Sequence, residues 1–501
     1  MRVLRRTLPK SAAAAAADAA TVIAHAPRYP VVRVGRGPQR PAQADTQRLW
    51  ARFRSGVLAG AAFLLAMGQP AQADQVFPAT LAGHSLLAAE TFVPAPLDAP
   101  ADLKVSGKFT ENGLRTDAVG SVMGRSAGRP TGVRLPFRGQ PVQGFSGIRT
   151  LGDGTFLATS DNGFGNRLNS PDAMLLLFRL RPDFAAGRTA ILETIFLHDP
   201  DRKVPFRIAN EGTGTRYLTG ADFDIEGVQL IDGKLWIGDE FGPYLIRADR
   251  NGKVEAVFET MVDGKLLRSP DHHAVRTPNR PDMALDFNHP RTKGFEGLAA
   301  SPDGRFLYGL LEGPIWDAAH KRLEERDGKQ VLRVLEFDVA KGAWTGRHWF
   351  YPLEQNGLAI GDFNMLDATT ALVIERDDGE GTPDRACPAG QRADNCFHNL
   401  PKFKRVYKIE MGAAQAGGMV RKIGHIDLLN IRDPNGNARK PLVGGVFQFP
   451  FFTIENVDRV DARHIIVGND NNLPFSSSRD PNRADDNELI LLEVEAFLNA
   501  R

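Results

Sequence analysis

The chain has 501 residues, 42% hydrophobic and 24% charged, a balance typical of a large globular protein. It carries 62 Lys and Arg against 60 Asp and Glu, but 11 of the basic and only two of the acidic residues lie in residues 1–73, so the remainder has 51 basic and 58 acidic residues and a net charge near −7. An acidic chain of this kind argues against nucleic-acid binding.

The first 73 residues are expected to lie outside the fold. Residues 1–50 are basic and contain a run of six alanines, and their status as a translated leader is open. Residues 51–73 have the arginines, the apolar run and the small-residue cleavage site of a secretory signal peptide. That apolar run is too short to span a bilayer as a helix, and no later run is longer. The sequence predicts a periplasmic or secreted protein, cleaved near Ala73, with no membrane span.

The rest of the chain, residues 74–501, is predicted to form one domain built from a recurring hairpin. Its clearest copy, DIEGVQLIDGKLWIGDEFG, has Asp232 and Gly233 between two apolar runs, which is the strongest short-range signal of a β-hairpin. Four related stretches occur, GFSGIRTLGDGTFLATSDNG, GFEGLAASPDGRFLYGLLEG, GDFNMLDATTALVIERDDG and FTIENVDRVDARHIIVGNDNN. Five related hairpins indicate a repeat architecture.

We predict an all-β fold, a β-propeller of six blades with loop insertions, with five and seven blades as alternatives. Residues 74–140 are expected to form the first blade in altered form. The final strand, Leu489–Val494, is expected to pair with that blade and to close the ring. A solenoid suits repeats of this length and unevenness less well.

The two cysteines, Cys387 and Cys396, lie in one loop between the fourth and fifth hairpins. In an exported protein two nearby cysteines are expected to form a disulfide. A metal-binding pair is the alternative, although neither residue belongs to a C-x-x-C motif.

Acidic residues stand at both ends of these hairpins, where antiparallel pairing brings the ends together. In a propeller they would gather near the axis. So many carboxylates cannot share a small space as free anions, so they must be protonated, paired with Lys or Arg, or bound to a cation, for which oxygen ligands favour Ca²⁺. The alternative is that they accept backbone hydrogen bonds in turns. The predicted metal ligands are Asp161, Glu226, Asp239, Glu240, Glu296, Glu312, Glu455 and Asp470, and further hairpin ends are Ser146, Asp362 and Glu375.

Basic side chains near these ends are candidates for binding an anionic substrate. They are Arg149, Arg247 and Lys293, with Arg376 and Lys404 as further candidates. Strand alternation places Glu375 and Arg376 on opposite faces, so at most one of the two points inward. The sequence contains no nucleophile elbow, Walker A loop, dinucleotide fingerprint or H-E-x-x-H motif.

These hairpins resemble the phytase-like domain family, described as esterase-like activity of phytase, from about Gly144 to Val494. The resemblance implies an exported bacterial β-propeller akin to calcium-dependent phytases, in which acidic residues bind Ca²⁺ and basic residues bind phosphate. The residues that match the acidic repeats are Glu226, Asp239, Glu240, Glu296, Glu312, Glu375, Glu455 and Asp470. The basic phosphate-binding cluster of the phytases has no match here.

The sequence therefore favours a calcium-dependent phosphoric-ester hydrolase, acting as a monomer on a small-molecule phosphoester. Its expected catalytic residues are Glu226, Glu296, Glu375 and Arg376. One alternative is a non-catalytic binding propeller that calcium stabilises. Another is a lactone or carboxyl esterase.

Overall fold

The computed structural model describes residues 75–117 and 120–501, and the regular secondary structure of these residues is almost entirely β. The expected leader and signal peptide lie outside the described residues. The α-helix α1 covers Glu495–Asn499, and 3-10 turns occur at Ala101–Lys104, Pro383–Arg385 and Ala413–Gln415. Within the described ranges, no helix is long and apolar enough to cross a membrane. The all-β prediction is confirmed.

The N-terminal region consists of one long strand followed by short ones. The long strand is β1 (Gln75–Leu87). The short strands are β2 (Phe92–Val93), β3 (Val105–Ser106), β4 (Val122–Ser126), β5 (Arg129–Leu135), β6 (Phe137–Arg138) and β7 (Gln140–Pro141). They form the two-stranded pairs β2–β7, β3–β6 and β4–β5. The described part of this region is thus not the separate altered blade that the sequence led us to expect.

The remaining strands supply the body of the fold. In chain order they are β8 (Phe145–Thr150), β9 (Phe156–Ser160), β10 (Leu176–Asp183), β11 (Arg188–Phe196), β12 (Ile225–Ile231), β13 (Lys234–Asp239), β14 (Tyr244–Ala248), β15 (Val254–Glu259), β16 (Met261–Val262), β17 (Lys265–Leu266), β18 (Phe295–Ala300), β19 (Phe306–Leu311), β20 (Trp316–Asp317), β21 (Arg322–Leu323), β22 (Glu325–Arg326), β23 (Lys329–Asp338), β24 (Ala343–Pro352), β25 (Ala359–Met365), β26 (Thr370–Arg376), β27 (Lys404–Glu410), β28 (Arg421–Arg432), β29 (Ile454–Arg459), β30 (His464–Asn469) and β31 (Asn487–Glu493).

Nineteen of these strands, together with β1, pair as five antiparallel arrays of four strands, each beginning with one of the five predicted hairpins. Array 1 is β8–β9–β10–β11, array 2 is β12–β13–β14–β15, array 3 is β18–β19–β23–β24, array 4 is β25–β26–β27–β28, and array 5 is β29–β30–β31–β1. The described residues form no sixth array of this kind; the sequence favoured six blades, with five and seven as alternatives.

Array 5 joins the two ends of the described chain. Its outer strand is β1, which pairs antiparallel with β31 over seven residue pairs, from Thr80 opposite Glu493 to Leu87 opposite Asn487. The predicted pairing of the final strand with the N-terminal region is therefore confirmed. This contact fixes the N-terminal strand to the C-terminal one.

The first strands of the five arrays contact one another in a closed order: β8 with β12, β12 with β18, β18 with β25, β25 with β29, and β29 with β8. Glycines permit this close approach. A Cβ atom at Gly227 would collide with the backbone of Leu298 in the next array, and one at Gly361 would collide with the carbonyl oxygen of Ile454. The first strands therefore surround a common centre.

The turns and the core follow from the sequence pattern. Asp232 and Gly233 both have positive φ, 48° and 74°, as a two-residue hairpin turn requires. Apolar side chains fill the space between neighbouring arrays, where Trp236 of β13, Phe295 of β18 and Phe337 of β23 share one buried cluster. Burying a large apolar side chain contributes roughly 1.5–3 kcal/mol.

Cys387 and Cys396 form the predicted disulfide. It closes a loop between β26 and β27, where the Cys387 N–H donates to the Phe397 carbonyl oxygen at 2.7 Å. The ring of Phe397 lies under the Arg129 guanidinium, 5.0 Å from its centre. The bridge therefore fixes this loop against the β4–β5 hairpin.

Candidate functional site

A break in strand register occurs at the same place in the first hairpin of all five arrays. In array 3, Phe295 pairs with Leu311 and Gly297 with Leu310, which leaves Glu296 bulged out of the ladder. Bulges of this kind redirect a side chain and are common beside functional sites. The residue at this bulge position is Ser146, Glu226, Glu296, Gly361 or Glu455 in arrays 1 to 5.

In each hairpin the last residue pair before the break joins one residue of the first strand to one of the second. We call the residue that follows this pair in the second strand the closing position, and it lies opposite the bulge. These residues are Asp161, Glu240, Glu312, Arg376 and Asp470 in arrays 1 to 5. The closing and bulge positions thus supply seven carboxylates and one guanidinium.

All eight of these side chains line one depression of about 280 Å³, which we call the acidic pocket. Its other lining residues are Asn162, Gly165, Asp224, Thr292, Lys293, Phe452, Thr453 and Asn472. The pocket brings together every predicted metal ligand except Asp239, and the predicted catalytic residues Glu226, Glu296 and Arg376. Of the predicted substrate-binding residues, it includes Lys293.

Asp239 lies outside the lining, although we had predicted it to bind the metal. It is the last residue of β13 and pairs with Ile225, so it stands one residue before the closing position. Its carboxylate accepts hydrogen bonds from the backbone N–H groups of Asp224 at 2.8 Å and Gly242 at 2.7 Å. Its role in the structure is to hold the turn that leaves β13.

Glu375 is displaced from the pocket for the same reason. It pairs with Ile360, one residue before the closing position, and its carboxylate lies on the other face of array 4. There it accepts hydrogen bonds from the Tyr351 hydroxyl and from Lys422 Nζ, each at 2.7 Å. The structure therefore gives no support for a catalytic role.

Two further predicted hairpin ends, Asp362 and Ser146, also lie outside the pocket lining. Asp362 follows the bulge position of array 4, which is Gly361, and accepts the backbone N–H groups of Ile148 and Val457 at 3.3 and 3.1 Å. It therefore ties the first strands of three arrays together. Ser146 occupies the bulge position of array 1 and is buried.

Three predicted basic residues are engaged elsewhere. Arg149 bonds to Asp458 at 3.2 Å, and Arg247 lies over the Trp236 ring at 5.6 Å. Lys404 is fully buried beneath the pocket wall and donates to the carbonyl oxygen of Phe452 at 3.3 Å. None of these three side chains lines the acidic pocket.

Asp224 is a pocket residue that sequence reasoning missed. It stands two residues before Glu226, and its carboxylate accepts a hydrogen bond from Asn162 Nδ2 at 2.7 Å. Oxygens of Asp161, Asp224 and Glu226 lie within 4.8 Å of one another. The sequence did contain a signal for Asp224. It forms an Asp-x-Glu alternation with Glu226 at the entry to β12, and such an alternation places both side chains on one face of a strand.

Burial and mutual repulsion raise the pKa values of the pocket carboxyls. Burial, with the neighbouring Glu296 and Asp161 charges, raises the pKa of Glu226 well above its usual range. Burial, with Glu455 and Glu312, does the same for the pKa of Glu296. The pKa of Glu455 is raised by burial to about 7, although Arg376 opposes the shift. The pocket therefore favours protons or other cations.

Two cations of the chain offset part of this charge. Arg376 Nη2 donates to Glu455 Oε1 at 2.9 Å and is buried, and Lys293 Nζ pairs with Glu312 at the pocket edge. Burial lowers the pKa of Lys293, but Glu312 and Glu240 more than offset this effect and raise it. Two positive charges face eight carboxyl groups in the lining.

The donor set fits a hard divalent cation. It consists of carboxylate and amide oxygens, which Ca²⁺ prefers over nitrogen and sulfur ligands. Three carboxyl trios have oxygens within 4.8 Å of one another, namely Asp161–Asp224–Glu226, Glu226–Glu296–Glu455 and Glu240–Glu296–Glu312. Two of these oxygens, Glu240 Oε1 and Glu296 Oε1, are buried without a hydrogen-bond partner among the described residues.

Comparison with known proteins supplies a family. The family model described as "Phytase-like: Esterase-like activity of phytase" matches residues 140–473. The chain is also 29% identical over 147 residues to an uncharacterized secreted protein of Arthroderma benhamiae, a match that covers 26% of each chain. The chain thus spans about a quarter of the length of this curated relative.

Solved structures show more distant likenesses. One is the PQQ-bound aldose sugar dehydrogenase of Streptomyces coelicolor, at 13% identity over 70% of this chain and 95% of that one, with a TM-score of 0.31. Another is the calcium-binding protein regucalcin of Agrobacterium tumefaciens, at 12% identity over 71% and 92% of the two chains, with a TM-score of 0.28. Both are too distant to bear on the chemistry of the acidic pocket.

Proposed function

The chain belongs to the phytase-like family described as esterase-like activity of phytase, and on that premise we propose that it is an exported, calcium-dependent hydrolase of small phosphoric esters. The observation that carries this proposal is the convergence of eight carboxyl groups, Arg376 and Lys293 on one pocket at the meeting ends of five hairpins.

The architecture that goes with this proposal is a five-bladed propeller in which each array is a blade. The closed order of contacts among the first strands supports it, as does the strand β1 that completes array 5 from the other end of the chain. In such a ring the bulge and closing positions face the axis at one end.

The residues that would hold calcium are the carboxylates of the three trios. Glu226 and Glu296 would each take part in two of these trios. When bound there, a calcium ion supplies positive charge that offsets a substrate phosphate and polarises it as a Lewis acid. The asparagines Asn162 and Asn472 add neutral polar groups at the wall.

The chain's own groups have the remaining roles. Arg376 is held by Glu455 and faces the pocket, so its guanidinium is placed to bind a phosphoryl oxygen. In this proposal the predicted catalytic residues Glu226 and Glu296 act as calcium ligands, each shared between two trios.

Two observations support export in addition to the expected signal peptide of residues 51–73. The chain contains the Cys387–Cys396 disulfide, a bond that persists in oxidising compartments. The curated relative from Arthroderma benhamiae is described as secreted. We propose a periplasmic or secreted location on these grounds.

A second candidate is a binding module that calcium stabilises. One observation favours it, namely that both cations lining the pocket are already paired with carboxylates, Arg376 with Glu455 and Lys293 with Glu312. A phosphate group would then find no free basic partner unless a metal ion first occupied the carboxylates.

The test is a turnover screen of the purified chain with p-nitrophenyl phosphate, bis-p-nitrophenyl phosphate and p-nitrophenyl acetate, with calcium or with EDTA. Calcium-dependent release from either phosphate substrate supports the hydrolase. Release from the acetate alone would make it a carboxyl esterase. No turnover, with calcium still raising the melting temperature, would favour the binding module.

A further inference from the structure

The negative charge of the trio Glu240–Glu296–Glu312 is only partly neutralised by the chain's own cations. Glu240 is 6% exposed and Glu296 is 4% exposed, and one carboxylate oxygen of each lacks a hydrogen-bond partner among the described residues. Oxygens of the three side chains lie within 4.8 Å of one another. A buried carboxylate oxygen without a partner is costly. The trio therefore has room for a cation beyond those that the chain supplies.

Lys293 is the chain's own cation at this trio. Its Nζ pairs with Glu312 Oε2, while neither of the two unpartnered oxygens accepts a bond from it. Its side chain is 43% exposed, and it stands just before β18 at the pocket edge. A lysine ammonium is a point charge on a long flexible stem. Lys293 thus has a path to water.

Arg376 provides the contrast within the same pocket. Its side chain is only 6% exposed, and Glu455 binds it at 2.9 Å. The ring of Phe452 lies 5.9 Å from the guanidinium. Arg376 is therefore a fixed counter-ion, whereas Lys293 is one that can leave.

We propose that Lys293 is a displaceable counter-ion, which neutralises the Glu240–Glu296–Glu312 trio until a divalent cation enters it and then turns outward to bind the anionic group of the substrate. This inference rests on the proposed function, because it takes the pocket to bind calcium. It sets an order of binding in which the cation comes first and the anion second.

Charge is the physical reason for this order. An ammonium and a divalent cation a few ångströms apart repel each other in a partly buried site, so entry of the divalent cation would weaken the pairing of Lys293 with Glu312. Once displaced, the ammonium lies beside the calcium-loaded pocket, where an anion would meet both charges. Binding of a phosphate would therefore require the metal and would gain from Lys293.

The test is calcium titration of the metal-free protein by calorimetry, followed by titration of the calcium-loaded protein with inorganic phosphate. Lys293→Met removes the charge and keeps the stem, and Lys293→Gln is a second neutral variant. Lys265→Met, on the exposed strand β17, is the matched control. Melting temperatures establish that each variant is folded.

We expect Lys293→Met to bind calcium about tenfold or more tightly than the wild type at one site, since a competing charge is gone. The same variant, loaded with calcium, is expected to bind phosphate about tenfold more weakly. Lys265→Met should match the wild type in both titrations.

Unchanged calcium and phosphate affinities in both neutral variants, with calcium still binding to the wild type, would overturn the inference and leave the proposed function standing. No calcium binding by the wild type would instead contradict the proposed function itself. The two failures are thus distinguishable.

Discussion

Glu375 and Arg376 are neighbours in β26, but their side chains serve opposite faces of the array. Glu375 bonds to Tyr351 and Lys422 on one face, each at 2.7 Å, and Arg376 bonds to Glu455 in the acidic pocket at 2.9 Å. Strand alternation requires this separation. One residue therefore belongs to the framework and the next one to the site.

The substitution Glu375→Gln should lower stability and leave calcium binding unchanged. It removes the charge that faces Lys422 in a fully buried site, although Glu354 remains 2.9 Å from the same ammonium. We expect the free energy of unfolding to fall by about 2–3 kcal/mol. This is somewhat less than when a buried charge loses its sole partner. Urea unfolding measures the loss, and calorimetry measures the calcium affinity. Weaker calcium binding with unchanged stability would contradict this assignment.

A side chain at Gly144 is expected to displace the pocket residue beside it. A Cβ atom there would overlap the Asp470 carboxylate, and Gly144 has a φ of +33°. Gly154 also has a positive φ, +77°, but a Cβ there would meet no atom within 4 Å. Comparing alanine substitutions at Gly144 and Gly154 therefore distinguishes the effect of backbone strain from that of displacing Asp470.

We expect Gly154→Ala to cost about 1 kcal/mol through strain alone. Gly144→Ala should cost roughly 2 kcal/mol more and weaken calcium binding, because Asp470 must move. Urea unfolding and calcium titration of the two variants check this. Equal effects of the two substitutions would show that Asp470 yields freely.

The calcium-free protein should lose stability as the pH rises through neutrality. Burial raises the pKa of Asp362 to about 8 and that of Asp239 to about 7, against an ordinary value of 3.8. Between those values the folded chain holds protons that the unfolded chain has lost, so the free energy of unfolding falls as the pH increases. The buried pocket carboxyls act in the same direction.

Other groups limit the window in which this effect dominates. Burial lowers the pKa of His272 and of His289 from 6.5 to about 4. These two groups make the free energy of unfolding rise with pH, but only up to about pH 6.5. Burial also lowers the pKa of Lys404 to about 7 and that of Lys408 below its usual value, so these two lysines oppose the fall above neutrality. We therefore expect the melting temperature to fall between about pH 6.5 and pH 8. Saturating calcium should suppress that fall, and a rising melting temperature without calcium would refute it.

The disulfide should stabilise the fold without touching the pocket. Cys387 and Cys396 are nine residues apart, and for so short a loop the loss from a Cys387→Ser, Cys396→Ser double variant is about 2–3 kcal/mol. The pocket lining includes no residue of this loop. Urea unfolding should therefore shift while the calcium affinity stays the same. An unshifted midpoint would mean that contacts such as Arg129 over Phe397 hold the loop alone.

The hairpins, and with them most of the pocket, could be predicted from the sequence because the turn signals and the acidic ends are local features. Asp232–Gly233 and the matching stretches located all five first hairpins. The pairing of the final strand with the N-terminal region was also predictable, since β31 needs a partner. The other strands of each array and the short pairs among residues 92–141 carry weaker patterns, so the sequence left the number of blades open between five and seven.

The positions of Asp239 and Glu375 outside the pocket lining have one physical cause. A bulge adds one residue to the first strand, so the closing position comes one residue later than simple pairing suggests. The sequence marks some of these bulges with a glycine, as in Glu226–Gly227 and Glu296–Gly297. Register is a property of paired strands, so a single hairpin sequence did not reveal which of two adjacent acids faces inward.

The measurement that tests the central claim most directly is calorimetric titration of calcium into the metal-free wild type and into a Glu226→Gln, Glu296→Gln double variant. These two residues are shared between the three carboxyl trios. If the acidic pocket is the calcium site, the wild type should bind at least one ion, and the double variant should bind it at least tenfold more weakly while remaining folded. Equal binding by both proteins, or no binding by the wild type, would contradict the account.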